Sequence, residues 1–286
     1  MTSFADYRAN AIARLEAAGV STPEVDADLL IGHVLDLSRG EVQAKAIGGA
    51  TLRDDQLDEL AQMLDRRVAR EPLQHITGLA YFRSLALKVG PGVFVPRPET
   101  EQVAQYAIDA LRAVPGPQPI AVDLGTGSGA IAFAMATEVP HSVVYAVEVS
   151  PEAFAWATQN REATGASNAH LHLGNLADAL PELDGTVDVV ISNPPYIPSG
   201  AIPRDLEVQL HDPTVALYGG VDGLDIVHHV STTATRLLHS GGTLVLEHGE
   251  LQGAAIAELL RTDGWTAVAT HRDLLGRDRA TTALHR

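Results

Sequence analysis

The segment that most narrows the fold is Asp123-Leu124-Gly125-Thr126-Gly127-Ser128-Gly129. It separates a short apolar run at 120–124 from a helical pattern at 129–137. Glycines at alternate positions let the backbone take positive φ and pass close to a ligand. The N–H groups of the following helix open into the same space. From residue 119 onward, strands and helices alternate. Strands are expected at 143–149, 169–173, 187–192 and 243–247, and helices at 153–162 and 224–238. This order predicts an α/β domain with a parallel, doubly wound sheet, strand order 3-2-1-4-5 and helices on both faces. Residues 268–271 and 280–285 predict a terminal hairpin.

Residues 1–77 read differently. Phe4, Tyr7, Ala11, Leu15 and Ala18 recur at helical steps, and Gly19 is placed to end that helix. Thr22 and Pro23 open a second helix. Thr51 and Asp54 resemble a capping box before a third, whose apolar stripe is Leu57, Leu60, Leu64 and Val68. Arg66, Arg67 and Arg70 read as the solvated, dipole-favoured end of that helix. Residues 78–99 form the expected connector, a β-hairpin with strands at 82–89 and 94–95 around Gly90, Pro91 and Gly92. The remainder, 100–286, is the expected sheet domain.

Glu148 ends the second strand about twenty residues past the glycine loop, where a carboxylate can accept both hydroxyls of a ribose. The loop has no Lys and no GK[ST], so it is not a P-loop. Its GxGxG spacing differs from the GxGxxG of dinucleotide sites. S-adenosylmethionine fits, with its ribose on Glu148, its methionine tail over the glycines and Asp123 near the cationic tail. A nicotinamide cofactor is the alternative.

Ser192-Asn193-Pro194-Pro195-Tyr196 follows the fourth strand. In the expected order, strands one and four are neighbours, so this turn faces the glycine loop across the crevice where such sheets bind ligands. Pro194 and Pro195 have no N–H. The turn therefore offers acceptors, suited to a planar NH₂ group, with the Tyr196 ring to stack on. Two acceptors can draw a delocalised amide or aryl amine out of plane and aim its lone pair.

The chain has no Cys, which excludes disulfides, zinc ribbons and a thiol nucleophile. Asp and Glu total 36 against 20 Lys and Arg, a net charge of −16. A nucleic-acid tracking surface is disfavoured by that balance. No apolar run of membrane-spanning length occurs, and residues 1–10 carry Asp6 and Arg8 with no apolar leader. His170 and His172 share a strand face and His228 and His229 are adjacent, but without clustered acids no metal site is expected. Arg97, Glu99 and Glu101 are either a patch at the substrate mouth or an ion-paired turn.

Taken together, Asp123 to Gly129 and Asn193 to Tyr196 resemble the amino-group N-methyltransferases. Phe94-Val95-Pro96-Arg97-Pro98-Glu99-Thr100-Glu101 is similar to the motif of the release-factor glutamine methyltransferases, the PrmC/HemK family. Glu71 to Gly78 and Leu246-Glu247-His248-Gly249 also match, so the resemblance covers essentially the whole chain. It implies a Rossmann-like class I methyltransferase sheet with a small N-terminal helical domain. It also implies methylation of the Gln of a Gly-Gly-Gln loop in release factors, hence a cytoplasmic role in translation termination. Under that resemblance Asn193, Pro194 and Tyr196 are catalytic. Pro195, Phe94 and Arg97 join them in binding substrate. Asp123, Gly125, Thr126, Gly127, Ser128, Gly129, Glu148, Leu176 and Asn193 bind the cofactor. Leu176 stands where the family often has an aromatic, Asn175 where it often has Asp, and Glu148 where many relatives have Asp. The N-terminal helices would dock the release factor, and the protein is expected to be a monomer that binds neither nucleic acid nor membrane. Open rivals are an adenine methyltransferase on DNA or RNA, a non-catalytic cofactor-binding adaptor and an oxidoreductase.

Overall fold

The computed structural model describes residues 2–286 and divides the chain into two units. One comprises Met1–Gly78 with Pro203–His211; the other comprises Leu79–Ile202 with Asp212–Arg286. In chain order the elements begin β1 (Thr2–Ser3), α1 (Phe4–Ala17), α2 (Pro23–Leu35), α3 (Arg39–Ile47), β2 (Thr51–Leu52), α4 (Asp54–Val68) and α5 (Leu73–Thr77). The hairpin β3 (Leu79–Phe82) and β4 (Leu85–Lys88) precedes α6 (Pro98–Ala113). Then follow β5 (Ile120–Leu124), α7 (Ala130–Glu138), β6 (Val143–Glu148), α8 (Pro151–Thr164), β7 (Ala169–Leu173) and β8 (Val187–Ser192). The chain closes with α9 (Leu206–His211), α10 (Asp225–Leu237), β9 (Leu238–Glu247), α11 (Gly253–Thr262), β10 (Thr266–Arg272) and β11 (Asp278–Leu284).

The helical unit buries two apolar clusters. Ala11, Leu15, Leu30 and Leu64 belong to one; Phe4, Ile31, Val42 and Leu60 belong to the other. Pro23 opens α2 at a position where its missing N–H is harmless. The sequence reading missed α3, although Ser38 and Glu41 form a reciprocal capping box at its start. The box expected from Thr51 and Asp54 is displaced: α4 is capped at Arg53, whose backbone N–H donates to Gln56 Oε1 at 3.1 Å.

Arg66, Arg67 and Arg70 are not a solvated helix end. Arg66 pairs with Glu71 at 2.5 Å, and Arg67, 6% exposed, binds Asp26 Oδ2 at 2.7 Å. Arg67 and Arg70 grip opposite oxygens of Glu207 in α9, at 2.9 and 2.6 Å. Burial alone would raise the Glu207 carboxyl, but hydrogen bonds from Arg70 and Arg67 outweigh it and hold it at about 2. This grip explains why residues 203–211 belong to the helical unit.

The sheet unit carries seven strands in the order β10-β11-β9-β8-β5-β6-β7. Strands β7-β6-β5-β8-β9 are parallel and follow the expected 3-2-1-4-5 order; β11 and β10 add the antiparallel edge hairpin. Alternate residues feed opposite cores: Ala121, Val189 and Val245 pack with α6 and α7, while Val122, Val190 and Leu244 pack with α10 and α11. Both faces are covered, which is why β5 and β8 are nearly continuous apolar runs. Helix α7 is apolar on every side because it is buried on every side: Ala130 to Ala136 are all buried.

One expectation shifts here, and one element is new. The hairpin lies earlier than anticipated: Leu79 pairs with Lys88 and Phe82 with Leu85, while Phe94 and Val95 lie outside any strand. Its turn is at Arg83, which takes φ 53° and is tied down by Glu101 and Glu138. Helix α11, absent from the sequence reading, links β9 to the terminal hairpin.

Candidate active site

Strand β5 delivers the glycine loop at its carboxyl end. Gly125 and Thr126 N–H both donate to Val147 O on β6 at 2.9 Å, which folds the loop back over the sheet. Gly125, Gly127 and Gly129 have φ of 81°, 57° and 85°, so a side chain at any of them would be strained. At Gly129 a Cβ would also lie 2.0 Å from the Phe133 ring. Above Gly125 and Gly127 a Cβ would meet nothing within 4 Å, so the loop's outer face is open.

Glu148, 7% exposed, ends β6 as expected. Its Oε2 accepts the Gly127 N–H and its Oε1 the Ser150 N–H, each at 2.8 Å. These bonds fix the carboxylate beneath the loop while leaving lone pairs free for further donors. Asp123 is fully buried. Its Oδ2 accepts from Thr126 Oγ1 at 2.6 Å, and its Oδ1 has no hydrogen-bond partner. Burial pushes this carboxyl up to about 7, against the pull of the Thr126 hydroxyl. Ser128 is buried in the loop.

Asn160 on α8 was not anticipated. It is fully buried; its Nδ2 donates to Ser128 O and Lys88 O at 2.9 Å, and its Oδ1 accepts Lys88 N–H at 2.7 Å. One carboxamide therefore ties the glycine loop to the β3–β4 hairpin.

Strand β8 delivers the second motif beside the first. Asp123 on β5 pairs with Ile191 on β8, and Ser192 Oγ donates to Leu124 O at 2.6 Å. Asn193 to Tyr196 thus leaves the sheet next to the start of the glycine loop. Pro194 is buried; Asn193, Pro195 and Tyr196 are half-buried. Burial, with a contribution from Glu247, pushes the Tyr196 hydroxyl up to about 12.

Arg97 lies over the Phe94 ring at 4.9 Å and donates to Asp212 Oδ2 at 2.9 Å. The neighbouring acids form an ion-paired and hydrogen-bonded turn. Glu99 pairs with Arg277 at 3.2 Å, and Glu101 accepts the Arg83 N–H at 3.0 Å. Leu176 is half-buried after β7 and packs against the cluster under Val147 and Leu180. Glu247 at the end of β9 is 2% exposed, and its Oε2 has no hydrogen-bond partner. Burial pushes it up to about 7, opposed by Thr100 and Arg279.

Among the described residues, no group of three His, Asp or Glu side chains could hold a metal ion. No helix is long and apolar enough to cross a membrane.

Comparison with known proteins bears on both units. Residues 6–78 match the PrmC N-terminal domain family, and residues 119–274 match a methyltransferase domain family. The release factor glutamine methyltransferase of Streptomyces coelicolor is 47% identical, with 96% of this chain and 95% of that protein covered. The enzyme of the same name from Bifidobacterium longum is 46% identical, with 94% and 95% covered. The 4-amino-L-phenylalanine/4-methylamino-L-phenylalanine methyltransferase of Streptomyces pristinaespiralis is 38% identical, with 92% and 88% covered. In fold, the chain is similar to a methyltransferase from Pyrococcus furiosus, at a TM-score of 0.51 and 21% identity, with 81% of this chain and 98% of that one covered. A glycine loop beside an Asn-Pro-Pro-Tyr turn, on a chain this similar from end to end, places the protein in the release factor glutamine methyltransferase family.

Proposed function

We propose that the chain transfers the methyl group of S-adenosylmethionine to the side-chain amide nitrogen of the Gln in the Gly-Gly-Gln loop of peptide chain release factors. The observation that carries this reading is the pinning of Asn193-Pro194-Pro195-Tyr196 beside the glycine loop by the Ser192–Leu124 bond. The residues fit the cofactor: open space above Gly125 and Gly127, a fixed Glu148 carboxylate with spare lone pairs, and an orphaned oxygen on Asp123. Thr126, Ser128 and Gly129 shape the loop, and Leu176 would flank the adenine.

When bound, S-adenosylmethionine supplies an electrophilic methyl group on a sulfonium. The chain supplies position. Asn193 Oδ1 and the Pro194 carbonyl would each accept one N–H of the substrate amide, while Pro195 keeps competing donors out of the turn. Held by two acceptors, the amide nitrogen turns its lone pair toward the methyl group. On transfer, the new N–C bond would replace the sulfonium C–S bond, leaving a neutral thioether, and the alkylated nitrogen would pass its extra proton to solvent. Tyr196 stays neutral at neutral pH, so it packs on the amide and does not act as a base. Phe94 and Arg97 would line the substrate mouth.

A net charge of −16 favours a protein substrate over nucleic acid. We infer a cytoplasmic monomer that meets the release factor through its N-terminal helices, with no direct nucleic-acid or membrane partner. The test is Asn193→Ala. Methyl transfer to a release factor should fall about 100-fold or more, with S-adenosylmethionine affinity within about threefold of wild type. Unimpaired turnover would overturn the role of Asn193. Transfer to an aryl amine but not to any release factor would replace the substrate class while keeping the site. Salt-dependent binding and methylation of DNA or RNA would favour the adenine branch.

A further inference from the structure

The Asn-Pro-Pro-Tyr turn is pinned at its entry by Ser192, and the structure shows what pins its exit. Gln252, the residue before α11, spreads its carboxamide between three backbone segments. Its Oε1 accepts the Gly249 N–H at 2.9 Å, and its Nε2 donates to the Tyr196 carbonyl at 2.9 Å. The same nitrogen lies 3.5 Å from the Gly223 carbonyl.

The third segment, 219–223, is pressed onto the turn. A Cβ at Gly219 would lie 2.4 Å from Pro195 O, and one at Gly223 would lie 2.3 Å from Tyr196 O and 2.8 Å from Gln252 Nε2. Only glycine permits this approach. Two backbone bonds lace the same segments together: Ile197 N–H to Leu217 O at 2.9 Å and Gly219 N–H to Ile197 O at 3.0 Å. The base of the clamp is anchored as well. His248 is fully buried, its Nε2 meets Thr281 Oγ1 at 2.9 Å, and its backbone N–H donates to Arg279 O at 2.9 Å.

We propose that Gln252 is a positioning residue of the methyl-transfer site. Resting on the function proposed above, it acts through the Tyr196 carbonyl and sets where the Asn193 and Pro194 acceptors point. The two prolines fix their own φ, so the turn moves largely as a unit hinged at its ends. With Ser192 holding one end and Gln252 the other, that unit has one orientation against the sheet. A carboxamide is required because the clamp needs an acceptor for Gly249 and a donor for Tyr196 at once. Glutamate would keep the first and lose the second.

The test compares Gln252→Ala and Gln252→Glu with wild type by amide hydrogen exchange and by single-turnover methyl transfer to a Gly-Gly-Gln peptide within a release factor. In both variants the Ile197 and Gly219 amides should exchange at least about tenfold faster, while the Val144 and Ala146 amides in the sheet core stay unchanged. The transfer rate should fall about 10- to 100-fold, with KM for S-adenosylmethionine within about twofold of wild type. A purely structural Gln252 would slow transfer in both variants only in proportion to lost folded protein, with the rate per folded molecule unchanged. Wild-type exchange in both variants, or unchanged transfer rates, would overturn the proposal. If wild type itself fails to methylate the Gln, the substrate assignment is what falls, and the exchange rates still decide whether Gln252 clamps the turn.

Discussion

In the helical unit, Asp26, Asp28 and Glu207 each meet arginine. Asp26 pairs with Arg67 at 2.7 Å, and Glu207 is shared by Arg67 and Arg70. Asp28, fully buried, is bound by Arg8, Arg39 and Gln43; these bonds overcome its burial and hold its carboxyl below the usual range. In the sheet unit, Asp123 and Glu247 are as deeply buried, yet neither takes part in an ion pair among the described residues, and each keeps one oxygen unpartnered. Burial pushes both up to about 7. The first unit has arranged its charges to hold helices together. The second carries buried acids that oppose folding when ionised, at the carboxyl ends of β5 and β9, beside the two motifs. Perturbed, unpaired carboxyls of this kind mark a candidate site for chemistry or binding.

Several measurements would sharpen or break this contrast. Arg67→Ala has the largest expected effect, because it strands Asp26 and weakens the hold on Glu207. It should destabilise the helical unit by about 3–5 kcal/mol in denaturant titration; a loss under about 1 kcal/mol would mean the arginine cluster is surface decoration. Asn160→Ala leaves the Lys88 and Ser128 backbone groups unsatisfied without touching an ion pair. About 2–4 kcal/mol should be lost from the sheet unit.

Asp123→Asn is expected to act in the opposite direction. Asn can still accept from Thr126, and the buried charge is gone. Ligand-free stability at pH 8 should rise by on the order of 1–3 kcal/mol, while S-adenosylmethionine binding weakens. The pH dependence follows from the same shift. Between about pH 4, the unfolded value, and about pH 7, the folded chain retains protons on Asp123 and Glu247 that the unfolded chain has released. These groups' contribution is full below pH 4 and is lost as pH rises through 7. Asp123→Asn should flatten that slope by about one proton; an unchanged slope would contradict the burial account.

Glu207 runs the other way. Held at about 2, it contributes stability above about pH 4.5, and that contribution disappears as pH falls toward 2. Glu207→Gln should cost on the order of 1 kcal/mol at pH 7 and nothing at pH 2. Smallest of all, Arg53→Ala removes the exposed pair with Asp55 and should leave the unfolding midpoint unchanged.

The sheet domain was readable in the sequence because its signals are local. An apolar run before glycines, an acid at the next strand's end and two prolines after the fourth strand each sit within a few residues, and topology rules join them. The strand order and the adjacency of the two motifs followed. What escaped were bonds between residues distant in sequence. Asn160 reaches Ser128 and Lys88, and Gln252 reaches Tyr196; nothing adjacent to either residue marks it. Arg67 and Arg70 resembled a solvated helix end because Glu207 lies over 130 residues away. Helix α3 was different: Ser38 and Glu41 spell a capping box and were legible. The hairpin was misplaced because Gly90, Pro91 and Gly92 look like a turn, whereas the actual turn at Arg83 is stabilised by tertiary bonds to Glu101 and Glu138. For Glu148, the sequence placed the carboxylate correctly but gave no sign that Gly127 and Ser150 N–H groups hold it in place.

The most direct test of the central claim is peptide-level mass spectrometry of a release factor incubated with S-adenosylmethionine and either wild-type protein or Asn193→Ala. The account predicts one added methyl group on the Gln of the Gly-Gly-Gln loop with wild type, and essentially none with Asn193→Ala at equal cofactor occupancy. A methyl group on another residue, or equal modification by both proteins, would contradict it.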